Sequence, residues 1–229
     1  MDLLKERIRR EGKVLPGNII KVDGFLNHRV DTKLMAAMAE EFEKHFDVSR
    51  ATVVLTAEAS GIALATMCAY RYGLPLIYAK KAKSDNIEGG IIKSDIYSYT
   101  YKKKVTLMVS AEWLKPTDKV LIIDDFLANG EALRGLCEIV SSAGAELVGM
   151  GVAVEKGFQP GGKKLRDAGI PLYSLAIIEK ADGNGIVFRD GQEEKSITAQ
   201  NERLRRSFYY CRKAQGLLRG RSPLSLFRL

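Results

Sequence analysis

At 229 residues, 46% of them hydrophobic, the chain can bury a sizeable core, most simply as one α/β domain with attachments. Cys68, Cys137 and Cys211 are odd in number and lack paired spacing, which argues against a disulfide framework or a zinc site. No apolar run is long enough to span a membrane, so the cytoplasm is the expected location. The net charge of +8 is uneven: of 36 Lys/Arg and 28 Asp/Glu, residues 195–229 hold nine and one, leaving 27 of each in residues 1–194. The body is therefore formally neutral and gives no reason to expect nucleic-acid binding.

In chain order, Leu3, Leu4 and Ile8 recur at helical spacing among charged residues, so residues 2–11 read as a charged helix rather than a signal peptide, stopping near Gly12. Leu15-Pro16-Gly17-Asn18 makes a turn before the β-prone Ile19–Val22. Asp31 and Thr32 are candidate N-caps of a helix through Phe46, with Leu34, Met35, Met38 and Phe42 on one side. Ala51–Thr56 reads as a strand, and Ser60-Gly61 opens a second helix. A third strand, Pro75–Ala79, ends in Lys80-Lys81-Ala82-Lys83. Residues 84–92 are polar and glycine-bearing and suggest a mobile connection; Ser94–Thr100 and Lys104–Val109 then alternate as a hairpin. A helix over 131–143, a strand Leu147–Val154, a short helix near Lys163–Asp167, a strand Leu172–Ile178 and a last strand at Ile186–Phe188 complete the body. This strand–helix alternation predicts a mostly parallel twisted sheet with helices on both faces.

The chain is organised around Val120-Leu121-Ile122-Ile123-Asp124-Asp125-Phe126-Leu127-Ala128-Asn129-Gly130. Four apolar β-formers suit a central strand buried on both faces, and two adjacent carboxylates follow at its carboxyl end, where open α/β sheets place ligands. Neighbouring carboxylates repel each other, so a purely structural pair is a poor reading. Paired acceptors suit vicinal hydroxyls such as those of a ribose, and a small-residue loop opening a helix suits a terminal phosphate. This order resembles the 5-phosphoribosyl-1-pyrophosphate (PRPP) motif of the type I phosphoribosyltransferases, and its Phe-Leu-Ala-Asn-Gly form resembles the xanthine phosphoribosyltransferases in particular. One departure is plain: most of that superfamily has hydroxyl residues where this chain has Glu131 and Ala132, so phosphate binding is expected to lean on backbone N–H groups and Asn129.

The resemblance implies a type I phosphoribosyltransferase-like fold over residues 1–194. A small hood comes from about 1–30 and 155–190, a flexible flap hairpin lies within 84–104, and 195–229 form a basic extension of open role. It implies transfer of the phosphoribosyl group from PRPP to N9 of xanthine, giving XMP and pyrophosphate, with Mg²⁺ held mainly by the substrate and a homodimer as the assembly. Asp124 and Asp125 are the implied catalytic pair, and Ala128, Asn129, Gly130, Glu131 and Ala132 the phosphate loop. Ser60 and Lys81 are implied on the pyrophosphate side, and Ile20, Asn27 and Lys156 at the purine. Without the resemblance, Glu58-Ala59-Ser60-Gly61 reads equally as a strand-to-helix turn capped by Ser60, Lys156 as a solvated loop residue and Asn27 as a turn former. The alternatives are an adenine or guanine/hypoxanthine phosphoribosyltransferase, or a PRPP-sensing transcription regulator on the same fold. The N-terminal segment is too short for a winged helix, which counts against the regulator.

Overall fold

A computed structural model describes residues 1–81, 90–98, 103–182 and 185–189. The elements run α1 (Asp2–Glu11), β1 (Lys13–Leu15), β2 (Ile19–Lys21), α2 (Thr32–His45), β3 (Val53–Ala57), α3 (Ile62–Tyr72) and β4 (Leu76–Ala79). There follow β5 (Ile91–Ser98), β6 (Lys103–Ser110), β7 (Lys119–Leu127), α4 (Glu131–Ser142), β8 (Glu146–Lys156), α5 (Gly161–Asp167), β9 (Leu172–Asp182) and β10 (Gly185–Phe188). Six strands form the main sheet in the order β10-β9-β8-β7-β3-β4, all parallel except β10. This is the mostly parallel sheet that the strand–helix alternation predicts.

The central place of β7 follows from its side chains. Leu121 and Ile123 join the apolar cluster that contains α2 and α3, while Val120 and Ile122 join the one that contains α4. Period-2 alternation thus delivers apolar residues to both faces, as an internal parallel strand requires. Asp31 caps α2, its Oδ1 accepting from the N–H groups of Lys33 and Leu34, each at 3.1 Å.

Two small antiparallel ribbons stand off the sheet. β1 and β2 pair through a reversal in which Gly17 and Asn18 take positive φ (83° and 58°), and they carry Ile20. β5 and β6 pair from Ile91↔Ser110 to Ser98↔Lys103 and lay one face on α4. Gly135 permits that approach, since a Cβ there would lie 2.5 Å from Ile96 Cγ2. Ser94 donates to Glu138, and Arg134 reaches the Asp95 carbonyl at 2.9 Å, fastening the ribbon's base to the helix.

Several boundaries differ from the sequence reading. β7 does not end before the acids but runs through them to Leu127, paired along β8. The turn before Ile19 is half of a hairpin, because Lys13–Leu15 finds a partner. Ile91 and Ile92 belong to β5 rather than to the connection before it, and Lys156 closes a strand rather than sitting in a loop. The segment 82–89, the flap tip at 99–102 and the 195–229 extension lie outside the described residues, as does the 194/195 boundary. Among the described residues no helix is long and apolar enough to cross a membrane.

Candidate active site

Asp124 and Asp125 are 5% and 4% exposed, so both acids are buried toward the end of β7. Asp125 is held on both oxygens: Asn27 Nδ2 donates to Oδ2 at 2.8 Å and Ser60 Oγ to Oδ1 at 2.9 Å. Three segments distant in sequence therefore converge on one carboxylate. Asp124 Oδ1 accepts from the Asp125 N–H at 3.1 Å. Burial, and then the neighbouring Asp125 charge, push the Asp124 carboxyl well above the usual carboxylate range, while the Asp125 N–H and the positive charge of Lys81 pull it back. An acid poised this way is sensitive to any cation that arrives beside it.

The turn after β3 presses against the same acid. A Cβ on Gly61 would lie 2.3 Å from both Asp124 Oδ1 and Thr56 Oγ1, so only glycine lets this backbone close on the pair. Ser60 spends its hydroxyl on Asp125, and α3 starts at Gly61 with no side-chain cap, so the capping role that the sequence left open for Ser60 is not the one it plays. Glu58 accepts from the Lys81 N–H at 2.5 Å, tying the end of β4 to this turn. Beyond it, Lys81, Lys93, Lys103 and Lys104 line a concavity of about 420 Å³ on the outer side of the β5–β6 ribbon.

After β7, residues 128–130 turn into α4. Gly130 takes φ 86°, and α4, like α3, starts without a side-chain cap, although the Ile62 N–H at the start of α3 donates to the Ala59 carbonyl at 3.2 Å. The Glu131 carboxylate is turned aside, accepting from Arg134 Nη2 at 3.1 Å and from the Tyr97 N–H at 3.4 Å. What Glu131 offers toward the loop is therefore backbone.

On the hood side, Ile20 is 7% exposed and packs in the core formed by α1 and residues 22–26. Lys156 Nζ donates to the Asn18 carbonyl at 3.2 Å, joining the end of β8 to the β1–β2 reversal, and its half-burial lowers its pKa. Asn27 bridges this side to Asp125, one N–H of its amide being used there. Ser60, Asn27 and the acids thus meet, and Lys81 acts on Asp124 through its charge. Ile20 and Lys156 belong to the hood beside them.

A family model described as a phosphoribosyl transferase domain matches residues 26–176. The chain is 49% identical over 191 residues to the xanthine phosphoribosyltransferase of Lachnoclostridium phytofermentans, covering 82% of this chain and 98% of that one. It is 47% identical over 193 residues to that of Ligilactobacillus salivarius, covering 84% and 100%. The chain belongs to the xanthine phosphoribosyltransferase family. Among solved structures, the adenine phosphoribosyltransferase of Giardia lamblia superposes with a TM-score of 0.64 at 24% identity, covering 77% of this chain and 98% of that one. The one from Trypanosoma brucei gives 0.64 at 18%, covering 87% and 91%; both speak to the fold.

Around the acids the structure also places Thr56, which the sequence did not single out, and two residues of the Glu58-Ala59-Ser60-Gly61 turn whose individual parts the sequence left open. Thr56 carries a buried hydroxyl with no partner beside Asp124, Gly61 makes room for the acid, and Glu58 anchors Lys81. A Thr near the end of an otherwise apolar strand is a weak signal, and only the register of β3 against β7 gives it meaning.

Proposed function

We propose that the protein transfers the 5-phosphoribosyl group of PRPP to N9 of xanthine, yielding XMP and pyrophosphate. The observation that supports this best is the buried Asp124–Asp125 pair beside two helix starts that carry no side-chain cap, those of α3 and α4. The relatives at 45–49% identity, each named a xanthine phosphoribosyltransferase, supply the purine.

The acids take the ribose hydroxyls, and Ser60 and Asn27 hold the Asp125 carboxylate in place for them. As the C1–O bond to pyrophosphate breaks, positive charge develops on the sugar, and two carboxylates in a water-poor site favour it. Residues 128–132 fix the 5′-phosphate through backbone N–H groups and Asn129, while Ser60 and Lys81 serve the pyrophosphate end. Lys156 and Asn27 donate to xanthine, whose C2 and C6 carbonyls are acceptors that adenine lacks, and Ile20 packs on the ring. Positioning supplies much of the rate, so no residue need act as a nucleophile.

Mg²⁺ would be held mainly by the diphosphate and ribose hydroxyls of the substrate, with Asp124 and Asp125 as oxygen acceptors beside it, and would supply charge neutralisation for the departing pyrophosphate. The working assembly in this reading is a homodimer, in the cytoplasm. The test is nucleotide formation from PRPP with xanthine, guanine, hypoxanthine and adenine in parallel. Xanthine is expected to be used best and adenine not at all. Preference for guanine, or use of adenine, would transfer the protein to a different purine, and PRPP binding without nucleotide would make it a sensor.

A further inference from the structure

Glu155 is 2% exposed, and the proposed chemistry makes no use of it. Its Oε1 accepts from Arg166 Nη1 at 2.8 Å, its Oε2 from Arg166 Nη2 at 2.6 Å, and the Ser174 hydroxyl of β9 also donates to Oε2. Isolating a carboxylate from water is costly, and apolar residues of the same volume would pack as well, so stability alone is a weak reason for such a pair. Its surroundings suggest another. Lys156, on the purine side, is the next residue. A Cβ on Gly162 would lie 1.9 Å from Glu155 Oε1, so the start of α5 rests directly on the carboxylate. A Cβ on Gly161 would lie 2.4 Å from the Ala128 carbonyl and 2.6 Å from the Gly130 nitrogen, and the Gly161 N–H donates to that carbonyl at 3.2 Å. Backbone stacked on backbone, with no side chain between, leaves no slack. A continuous path therefore runs from Lys156 through Glu155, Gly162 and Gly161 to the loop 128–130.

We propose that Glu155 and Arg166 are positioning residues that lock the purine side of the site to the phosphate loop, fixing the separation that a nucleotide must span. The inference rests on the proposed function, since it takes Lys156 to face the base and residues 128–132 the phosphate. A ligand touching one side only is indifferent to that separation, whereas a ligand bridging both depends on it. The test is therefore Kd for xanthine, ribose 5-phosphate and XMP, by NMR titration, in wild type and Glu155→Gln, with melting curves to verify folding. XMP is expected to weaken about tenfold or more and each fragment less than about threefold, because a tether helps only when both ends fit at once. Arg166→Lys, which keeps the charge but loses the two-pronged contact, is expected to act in the same direction and carries the test if Glu155→Gln does not fold.

Equal weakening of xanthine and XMP would mean that Glu155 serves Lys156 alone. Unchanged affinities with a lowered melting temperature would make the pair merely structural; either outcome overturns the proposal. Wild-type protein that binds none of the three ligands would contradict the functional reading itself.

Discussion

The two halves of the site are built differently. The half proposed to take the ribose phosphate stands on β3 and β7, adjacent parallel strands in the middle of the sheet, and is built from buried acids, glycine-permitted close approach and backbone N–H groups. The half proposed to take the purine is assembled from pieces 138 residues apart, the β1–β2 ribbon and the end of β8, joined where Lys156 meets the Asn18 carbonyl. In the proposed function the sheet holds the PRPP, and there a Cβ added at Gly61 collides with Asp124. In the same proposal the choice of base sits on segments that stand off the sheet. Substitutions on the two halves are therefore expected to fail in different ways.

The largest effect is expected from Asp124→Asn with Asp125→Asn. Both replacements are near-isosteric, and turnover is expected to fall by at least about a hundredfold, since charge stabilisation at the developing cation is lost. Steady-state kinetics with circular dichroism to confirm the fold will measure it; near-wild-type kcat would remove the pair from the mechanism.

Next in size is Lys156→Ala. Loss of a charged hydrogen bond to xanthine is worth about 1.5–3 kcal/mol, or roughly 10- to 150-fold in kcat/KM. PRPP affinity without base is expected to stay put and the xanthine/guanine ratio to fall. An equal loss with every purine would place Lys156 in the ribose-phosphate half and blur the contrast between the two.

The sequence made the first half far more legible than the second. An unbroken apolar run ending in two acids and a small-residue loop states both strand and site locally, because the strand's burial, its central place and its ligand-bearing end share one cause. Even there, the extension of β7 past the acids was invisible, since it depends on pairing with β8. In the hood, Asn27, Ile20 and Lys156 stood out only by resemblance. Asn27 reaches Asp125 through a contact between residues 98 apart, and the partner of Lys156 is a backbone carbonyl, which no residue type announces. Lys13–Leu15 was passed over because three residues carry too little period to register. Glu155 was equally hidden: an acid at the end of an apolar strand reads as solvated until Arg166 and Ser174 are seen to enclose it.

The smallest effect separates function from stability in the first half. The Asp124 carboxyl is raised above its ordinary value by burial and by Asp125, so the folded state favours its neutral form. Between the ordinary carboxylate range and the raised value the unfolded chain binds fewer protons than the folded one, and stability falls as pH rises through that window. Asp124→Asn removes the ionisation, so it is expected to stabilise the protein at neutral pH by on the order of 1 kcal/mol, the gain shrinking toward zero below the ordinary range. Urea unfolding across pH will show it, and a variant less stable than wild type at neutral pH would refute the assignment of burial as the cause.

The most direct measurement follows pyrophosphate release from PRPP by the wild-type protein, with Mg²⁺ present, before and after xanthine is added. The acid pair, the phosphate loop and the hood together predict little release alone, sustained release once xanthine arrives, and XMP formed in equal amount. Release that ignores xanthine, or PRPP bound and retained with every purine, would contradict the account.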